Sequence, residues 1–197
     1  FAVCDLEADP FPSLSIFPPP APSALADWEI ELPGGARADE ARILSLPRVV
    51  EKRWIVCQIF HWWEEVVWEG VRLADLLAEA NLPADAKFLT FHSADGQYFE
   101  SLPLSLARDP RVLLAFGMNG APLPHAHGGP VRLVVPFLQA YKSVKWLVRI
   151  GTASHDPKGI KRILGQAKTA VFSGASMHEM GDSVTMLPTQ EGSLAEI

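Results

Sequence analysis

Between Ala26 and Ile150 the chain is cut into short apolar runs, and helical patterns do not alternate with them in any regular way. Ala26–Leu32, Arg48–Phe60, Lys87–Phe91, Gln97–Leu104, Arg111–Phe116, Val131–Phe137 and Ser143–Ile150 read as strands from their apolar and β-branched content. The Arg48–Phe60 run is apolar enough to predict a strand covered on both faces. Trp62 to Gly70 reads as an excursion after it. Asp95-Gly96 closes a predicted hairpin, and Asn119-Gly120 is a second turn before the short extended piece Ala121–Pro124. Two short helices interrupt the strands. One is Ala41–Leu46, ended by Pro47; the other is Val71–Leu82, with Leu73, Leu76, Leu77 and Ala80 at helical spacing. Many short strands with irregularly placed helices predict an α+β domain.

The two ends differ from this middle. Pro10, Pro12, Pro18, Pro19, Pro20 and Pro22 fix φ and remove backbone donors, so residues 1–25 are expected to run extended, without a regular ladder. Beyond His155, Gly159–Val171 sets Ile160, Ile163, Leu164, Ala167 and Val171 on one helical face, with Lys158, Lys161, Arg162 and Lys168 elsewhere. Residues 173–197 are small and polar and read as a tail. The expected organisation is an arm over 1–25, a domain over 26–154 and a helix with its tail over 155–197. Both ends suit docking to a partner.

Hydrophobic residues make up 48% of the chain, enough for a sizeable core. Lys and Arg number 17 against 23 Asp and Glu, a formal charge of -6, which argues against a general nucleic-acid-binding face. A local basic pocket for one anionic ligand stays open. Cys4 and Cys57 are the two cysteines, too few for a disulfide scaffold. No apolar run approaches the roughly 20 residues of a membrane-spanning helix. The chain starts at Phe1, which reads as a processed or trimmed product and leaves periplasm or an organelle open as compartments.

Cys57 sits inside the apolar run, just before a tryptophan-rich loop. Its position alone fits a buried core thiol, a soft metal ligand or a nucleophile. His125 and His127 have chelating spacing, but no third ligand completes a site. Gly128 and Gly129 would let backbone approach a ligand while Arg132 clamps an anion. Lys142, Ser143 and Lys145 form a donor cluster that suits either a phosphate or a solvated strand end. Glu64 and Glu65 read as solvated carboxylates, and the Met177–Met180 cluster carries no chemistry.

HGGPVRLVVPFLQAYKSVKWLVRI (127–150), VLLAFGMNGAPLP (112–124), WEGVRLADLL (68–77) and FPSLSIFPPPAP (11–22) occur in order around Cys57. Together they resemble the molybdopterin-binding core of the sulfite oxidase family. They are most similar to its short, haem-free bacterial branch, which includes catalytic subunits of protein-methionine-sulfoxide reductase. The resemblance spans about residues 11–152 and implies the family's fold, with mixed sheets and short helices. It implies molybdopterin with molybdenum as cofactor and Cys57 as the metal's thiolate ligand and the catalytic residue. By the same likeness Ser93 and His127 contact the pterin, and Arg132 pairs with the cofactor's anionic end. Ser143, Val144 and Lys145 hold its phosphate.

Two functions follow from that likeness. The first is an oxidoreductase carrying out two-electron oxygen-atom transfer on a sulfoxide or other small oxo compound, served by an external electron carrier. The second is a catalytically degenerate subunit held in a larger assembly through its arms. The second rests on Val56-Cys57-Gln58-Ile59-Phe60-His61-Trp62-Trp63, where aromatic bulk stands in place of small polar residues of the family.

Overall fold

A computed structural model describes residues 3–5, 7–9, 11–57, 62–78 and 80–166. Two five-stranded sheets carry the fold. In the first, β5 (Arg48–Cys57) pairs with β6 (Trp62–Arg72), β6 with β9 (Leu113–Met118), and β9 with both β10 (Ala121–Pro122) and β11 (Arg132–Val134). The second has the order β4 (Arg37–Ala38), β3 (Ile30–Glu31), β12 (Leu147–Ala153), β7 (Phe88–Ser93) and β8 (Phe99–Pro103). β12 runs parallel to β3 and antiparallel to β7, so this sheet is mixed. The helices are single turns: α1 (Glu40–Leu44), α2 (Leu73–Leu77), α3 (Leu104–Ala107) and α4 (Ile160–Ile163). Mixed sheets with short helices are as expected from the sequence.

Side-chain alternation along the strands divides the interior. Leu114 faces a core shared with Ile30, Leu89, Phe91, Leu133 and Leu147 from both sheets. Its neighbours Leu113 and Ala115 face the opposite way, into a second cluster with Ile55, Val66, Trp68 and Phe11. The register of β6 against β9 shifts between Glu69 and Gly70. A Cβ on Gly70 would run into the carbonyl of Leu114, so glycine is what permits the strands to close there.

Several expectations need correcting. The N-terminal arm does form a ladder: β1 (Val3–Asp5) pairs antiparallel with β2 (Ser13–Ser15), and residues 18–24 after it carry no helix or strand. Pro10 and Pro12 precede β2 and Pro18 follows it, so no ladder donor is lost within the strand. Ala26–Leu32 divides into a 3-10 turn at Leu25–Asp27 and the two-residue β3. β5 is an edge strand with Val50 exposed, since only β6 pairs with it, so it is not covered on both faces. Trp62–Gly70 is no excursion but most of β6, and this strand runs on to Arg72, which leaves a single helical turn from Leu73.

α4 overturns the predicted helical face. Ile163 and Leu164 are 63% and 65% exposed, whereas Lys161 is 9% exposed. Arg162 donates to both carboxylate oxygens of Asp156 at 2.8 and 2.9 Å and to Ser101 Oγ at 3.1 Å, turning the polar side inward. Over one turn, side-chain hydrogen bonds outweigh an apolar stripe. Residues 167–197, with the remainder of the predicted helix and the tail, lie outside the described residues.

His92 of β7 faces Arg149 of β12. Nδ1 accepts from Arg149 Nη2 at 3.1 Å, and Nε2 lies 3.0 Å from Thr90 Oγ1. Burial, then the Arg149 charge, lowers the imidazole pKa from 6.5 to about 4. The folded chain therefore keeps His92 neutral where the unfolded chain takes up a proton. That contribution is full above the unfolded pKa and is lost as pH falls from 6.5 toward 4. Urea melts at pH 7.5 and 4.5 should show His92→Gln losing less stability than the wild type, by on the order of 1 kcal/mol after solvent screening.

Candidate functional site

The end of β5, the end of β7 and the loops on either side of β11 converge on one cavity of about 880 Å³, its open mouth included. Cys57, Ser93, His127, Arg132, Ser143 and Lys145 all line it. Six of the seven residues expected from the sequence are thus brought together. The seventh, Val144, turns its side chain into the main core, and its carbonyl accepts from Leu133 N at 2.8 Å.

Each side chain has a local reason for its place. Cys57 closes the β5–β6 register opposite Trp62 and is half-buried. Ser93 is buried at the hairpin turn, where its hydroxyl accepts from Asp95 N at 3.3 Å. His127 ends the 3-10 turn His125–His127, packs its ring 4.2 Å from Phe11, and sets Nε2 2.9 Å from Asp9 O.

Arg132 is engaged by the protein itself. Its Nη1 donates to His127 O and its Nη2 to Ser143 O, both at 2.8 Å, and Nε donates to Leu133 O at 3.3 Å. Burial lowers its pKa to about 10, still well protonated near neutrality. The guanidinium thereby ties the His127 and Ser143 loops together. Lys145 Nζ donates to Ser13 Oγ at 2.6 Å, Ala126 O at 2.9 Å and Leu14 O at 3.1 Å. These three acceptors match an ammonium's three hydrogens. The Ser143 N–H donates to Ala140 O at 3.0 Å, and its hydroxyl accepts from Val135 N at 3.0 Å, which leaves the hydroxyl hydrogen for a ligand.

Lys142 departs from both readings of the donor cluster. It is 3% exposed and lies off the cavity wall, donating to Glu100 Oε2 at 2.8 Å and Ser101 O at 3.0 Å. Lys142 ends the 3-10 turn Ala140–Lys142, which turns its side chain into the fold. His125 packs on Trp146, and no cluster of three metal-ligating side chains occurs among the described residues. Glu65 pairs with Lys52 across β5 and β6, as a solvated carboxylate would.

Sequence reasoning missed Lys161 and Gln166, which close one side of the cavity, and Tyr98 and Tyr141, which also line it. Tyr98 Oη donates to Tyr141 O at 2.6 Å, and burial raises the pKa of both phenols. The one sequence signal for Lys161 was a basic run beside a short apolar pattern, which did not distinguish inside from outside.

The loop is shaped by glycine. Gly128 has φ +100°, and a Cβ there would sit 2.8 Å from Lys145 Cβ and 2.9 Å from its Cα. Gly128→Ala should destabilise the fold by about 2–4 kcal/mol, combining left-handed backbone strain with overpacking. A melt showing a loss under 1 kcal/mol would contradict this.

One antiparallel and one mixed sheet arranged in this way, with a thiol, two hydroxyls and a buried guanidinium on one cavity, are of the sulfite oxidase type. The crystal structure of sulfane dehydrogenase SoxCD from Paracoccus pantotrophus superposes with a TM-score of 0.63 at 26% identity, covering 72% of this chain and 41% of that one. The chain belongs to the family of oxidoreductase molybdopterin-binding domains, whose pattern matches residues 44–161. It is 31% identical over 150 residues to the protein-methionine-sulfoxide reductase catalytic subunit of Gluconobacter oxydans, covering 66% of this chain and 48% of that protein. Against mitochondrial sulfite oxidase of Rattus norvegicus it is 43% identical over 98 residues, 45% of this chain and 18% of that protein. The chain therefore spans about half or less of these relatives. No helix among the described residues is long and apolar enough to cross a membrane.

Proposed function

We propose that this chain carries the molybdenum cofactor of an oxidoreductase that exchanges an oxygen atom with a sulfoxide or another small oxo compound. The observation carrying this reading is that Cys57 shares one cavity with Ser93, His127, Arg132, Ser143 and Lys145. The donor set fits the group: a soft thiol for the metal and small hydroxyls with a buried guanidinium around a cavity of about 880 Å³. When bound, molybdopterin supplies the two-electron redox chemistry.

The protein's own residues bind and orient. Cys57 gives the metal its thiolate. Ser93 and Ser143 offer hydroxyls to the pterin, and His127 offers its ring. Arg132 holds the loop carbonyls so that the cavity keeps its shape. Lys145 and the backbone around Val144 take the cofactor's phosphate, with Lys145 exchanging acceptors from Ser13 and Leu14 for phosphate oxygens. Reduction of a sulfoxide to a sulfide consumes two electrons and two protons and releases water, so an external electron carrier completes the cycle. The expected organisation remains an arm over 1–25, a cofactor domain over 26–154 and a docking helix and tail over 155–197.

One observation favours the second reading, a subunit without catalysis in a larger assembly. The Lys145 ammonium is already matched by three protein acceptors. Elemental analysis of protein from its native source separates the two. About one molybdenum per chain, with oxidation of reduced viologen by a sulfoxide, supports the oxidoreductase. No molybdenum and no viologen oxidation support the subunit.

A further inference from the structure

We propose that Pro18–Pro22 is a docking ridge for a partner protein, read by a groove that is lined with aromatic side chains and bordered by Lys or Arg. The ridge lies outside the cavity, and its role does not depend on whether a cofactor fills that cavity.

The residues themselves fix the backbone here. Pro18, Pro19, Pro20 and Pro22 hold φ at about −65°, and a following proline keeps Phe17, Pro18, Pro19 and Ala21 out of the helical region. Ala24, just beyond, has φ −82° and ψ 160°. This is polyproline II backbone, a left-handed helix with three residues per turn. Exposure keeps that period. Phe17, Pro20 and Ser23 are half-buried, while Pro18, Pro19, Ala21 and Pro22 are exposed. One edge of the helix therefore lies on the domain and the other two face outward. No hydrogen bond joins residues 18–22 to any of the described residues, which leaves their carbonyls open to donors from a partner.

Both ends of the segment are pinned. Lys145 holds Ser13 and Leu14 before it, and the buried Trp28 after it donates its indole N–H to Leu147 O at 2.7 Å. A ridge held at both ends and stiffened by four prolines loses little freedom on docking. Pro18-Pro19 and Ala21-Pro22 are two outward X-Pro pairs separated by Pro20, the residue turned inward. That is the spacing by which aromatic-lined grooves read polyproline II segments. The charge on either side is of one sign. Residues 1–36 hold Asp5, Glu7, Asp9, Asp27, Glu29 and Glu31 and no Lys or Arg. Asp27, Glu29 and Glu31 are exposed a few residues past the ridge, with Glu29 paired to Arg37. A basic rim on the groove complements these carboxylates and orients the approach.

The test puts the photoreactive residue p-benzoylphenylalanine in place of Ala21 in the full chain, irradiates it in its native source, and maps the attachment site by mass spectrometry. The same residue in place of the exposed Val50 gives the background. The expected product is one adduct, on a partner surface holding at least two aromatic side chains with Lys or Arg beside them. Excess synthetic peptide of residues 16–24 should suppress it. Calorimetry with the partner so identified then reads the register. Pro19→Ala with Pro22→Ala should weaken binding at least about tenfold, whereas Pro20→Ala, on the inward edge, should stay within about threefold of wild type. Both should melt within about 3 °C of wild type. Ala21→Asp replaces the double variant should that one fail to fold. Raising salt from about 0.05 to 0.5 M should weaken binding several-fold. No adduct above background, an adduct on a second copy of this chain, or one that the peptide does not suppress would overturn the assignment. So would binding that is indifferent to Pro19 and Pro22.

Discussion

Cys57→Ser is expected to lower bound molybdenum from about one per chain to below about a tenth, and to abolish viologen-linked sulfoxide reduction with it. A hydroxyl is a hard, weakly acidic donor where the metal takes a soft thiolate. No cluster of three His, Cys, Asp or Glu side chains among the described residues stands ready to replace it. The fold should be nearly indifferent. Cys57 is half-buried at the last pair of the β5–β6 ladder, so replacing one small side chain by another leaves the ladder hydrogen bonds intact. Against cofactor-free wild type, the melting temperature should stay within about 3 °C, equivalent to roughly 1 kcal/mol for a chain of this size. Elemental analysis beside a thermal melt checks both halves. A variant that keeps its molybdenum would show that Cys57 is not the metal's anchor.

Lys142→Met is expected to cost about 3–5 kcal/mol, because removing one partner leaves a buried carboxylate uncompensated. Glu100 is fully buried, its Oε1 has no hydrogen-bond partner, and its other nearby cation, Arg162 Nε, is 3.9 Å from Oε2. The melting temperature should fall by about 6–20 °C. Burial already holds the Glu100 pKa above the usual carboxylate range, against the opposing Lys142 charge. Losing that charge raises it further. A raised carboxylate opposes folding above its folded pKa and is relieved as pH falls through it, so the deficit should shrink from pH 8 to pH 5.5. Glu100→Met with Lys142→Met should recover most of the loss. A single variant that melts within 2 °C of wild type would disprove the account.

The architecture was readable where local chemistry decides it. Asp95 and Gly96 make the hairpin turn because the carboxylate accepts from Gln97 N and Tyr98 N and glycine takes φ +77°. Asp39 caps α1 by accepting from Arg42 N at 2.8 Å, and Pro47 follows soon after. Features set by distant partners were not readable. Nothing along Trp62–Arg72 announces that β9 will pair with it, and the aromatic residues suggested a loop. Lys142 looked like a ligand donor because its partner Glu100 lies 42 positions away. Lys161 sat off an apparent apolar face that the fold turns outward. The cofactor cavity itself came through family likeness, since no spacing along the chain joins Cys57 to Lys145.

The cavity wall includes Ser13, 132 positions from Lys145 to which it is hydrogen-bonded, and Lys161 from the other end of the described chain. Such a wall cannot nucleate locally; it closes after both sheets have formed, because contacts of large sequence separation form at the greatest entropic cost. During synthesis the pocket therefore stays open on two sides until residues near Gln166 have emerged. A fragment cut at the limits of the family match, 44–161, would retain Cys57 and Arg132 and lack the lining supplied by Phe11–Ile16 and Gln166. On the proposed reading, a cofactor held in this cavity is enclosed by residues from both ends of the described chain and not by the family core alone.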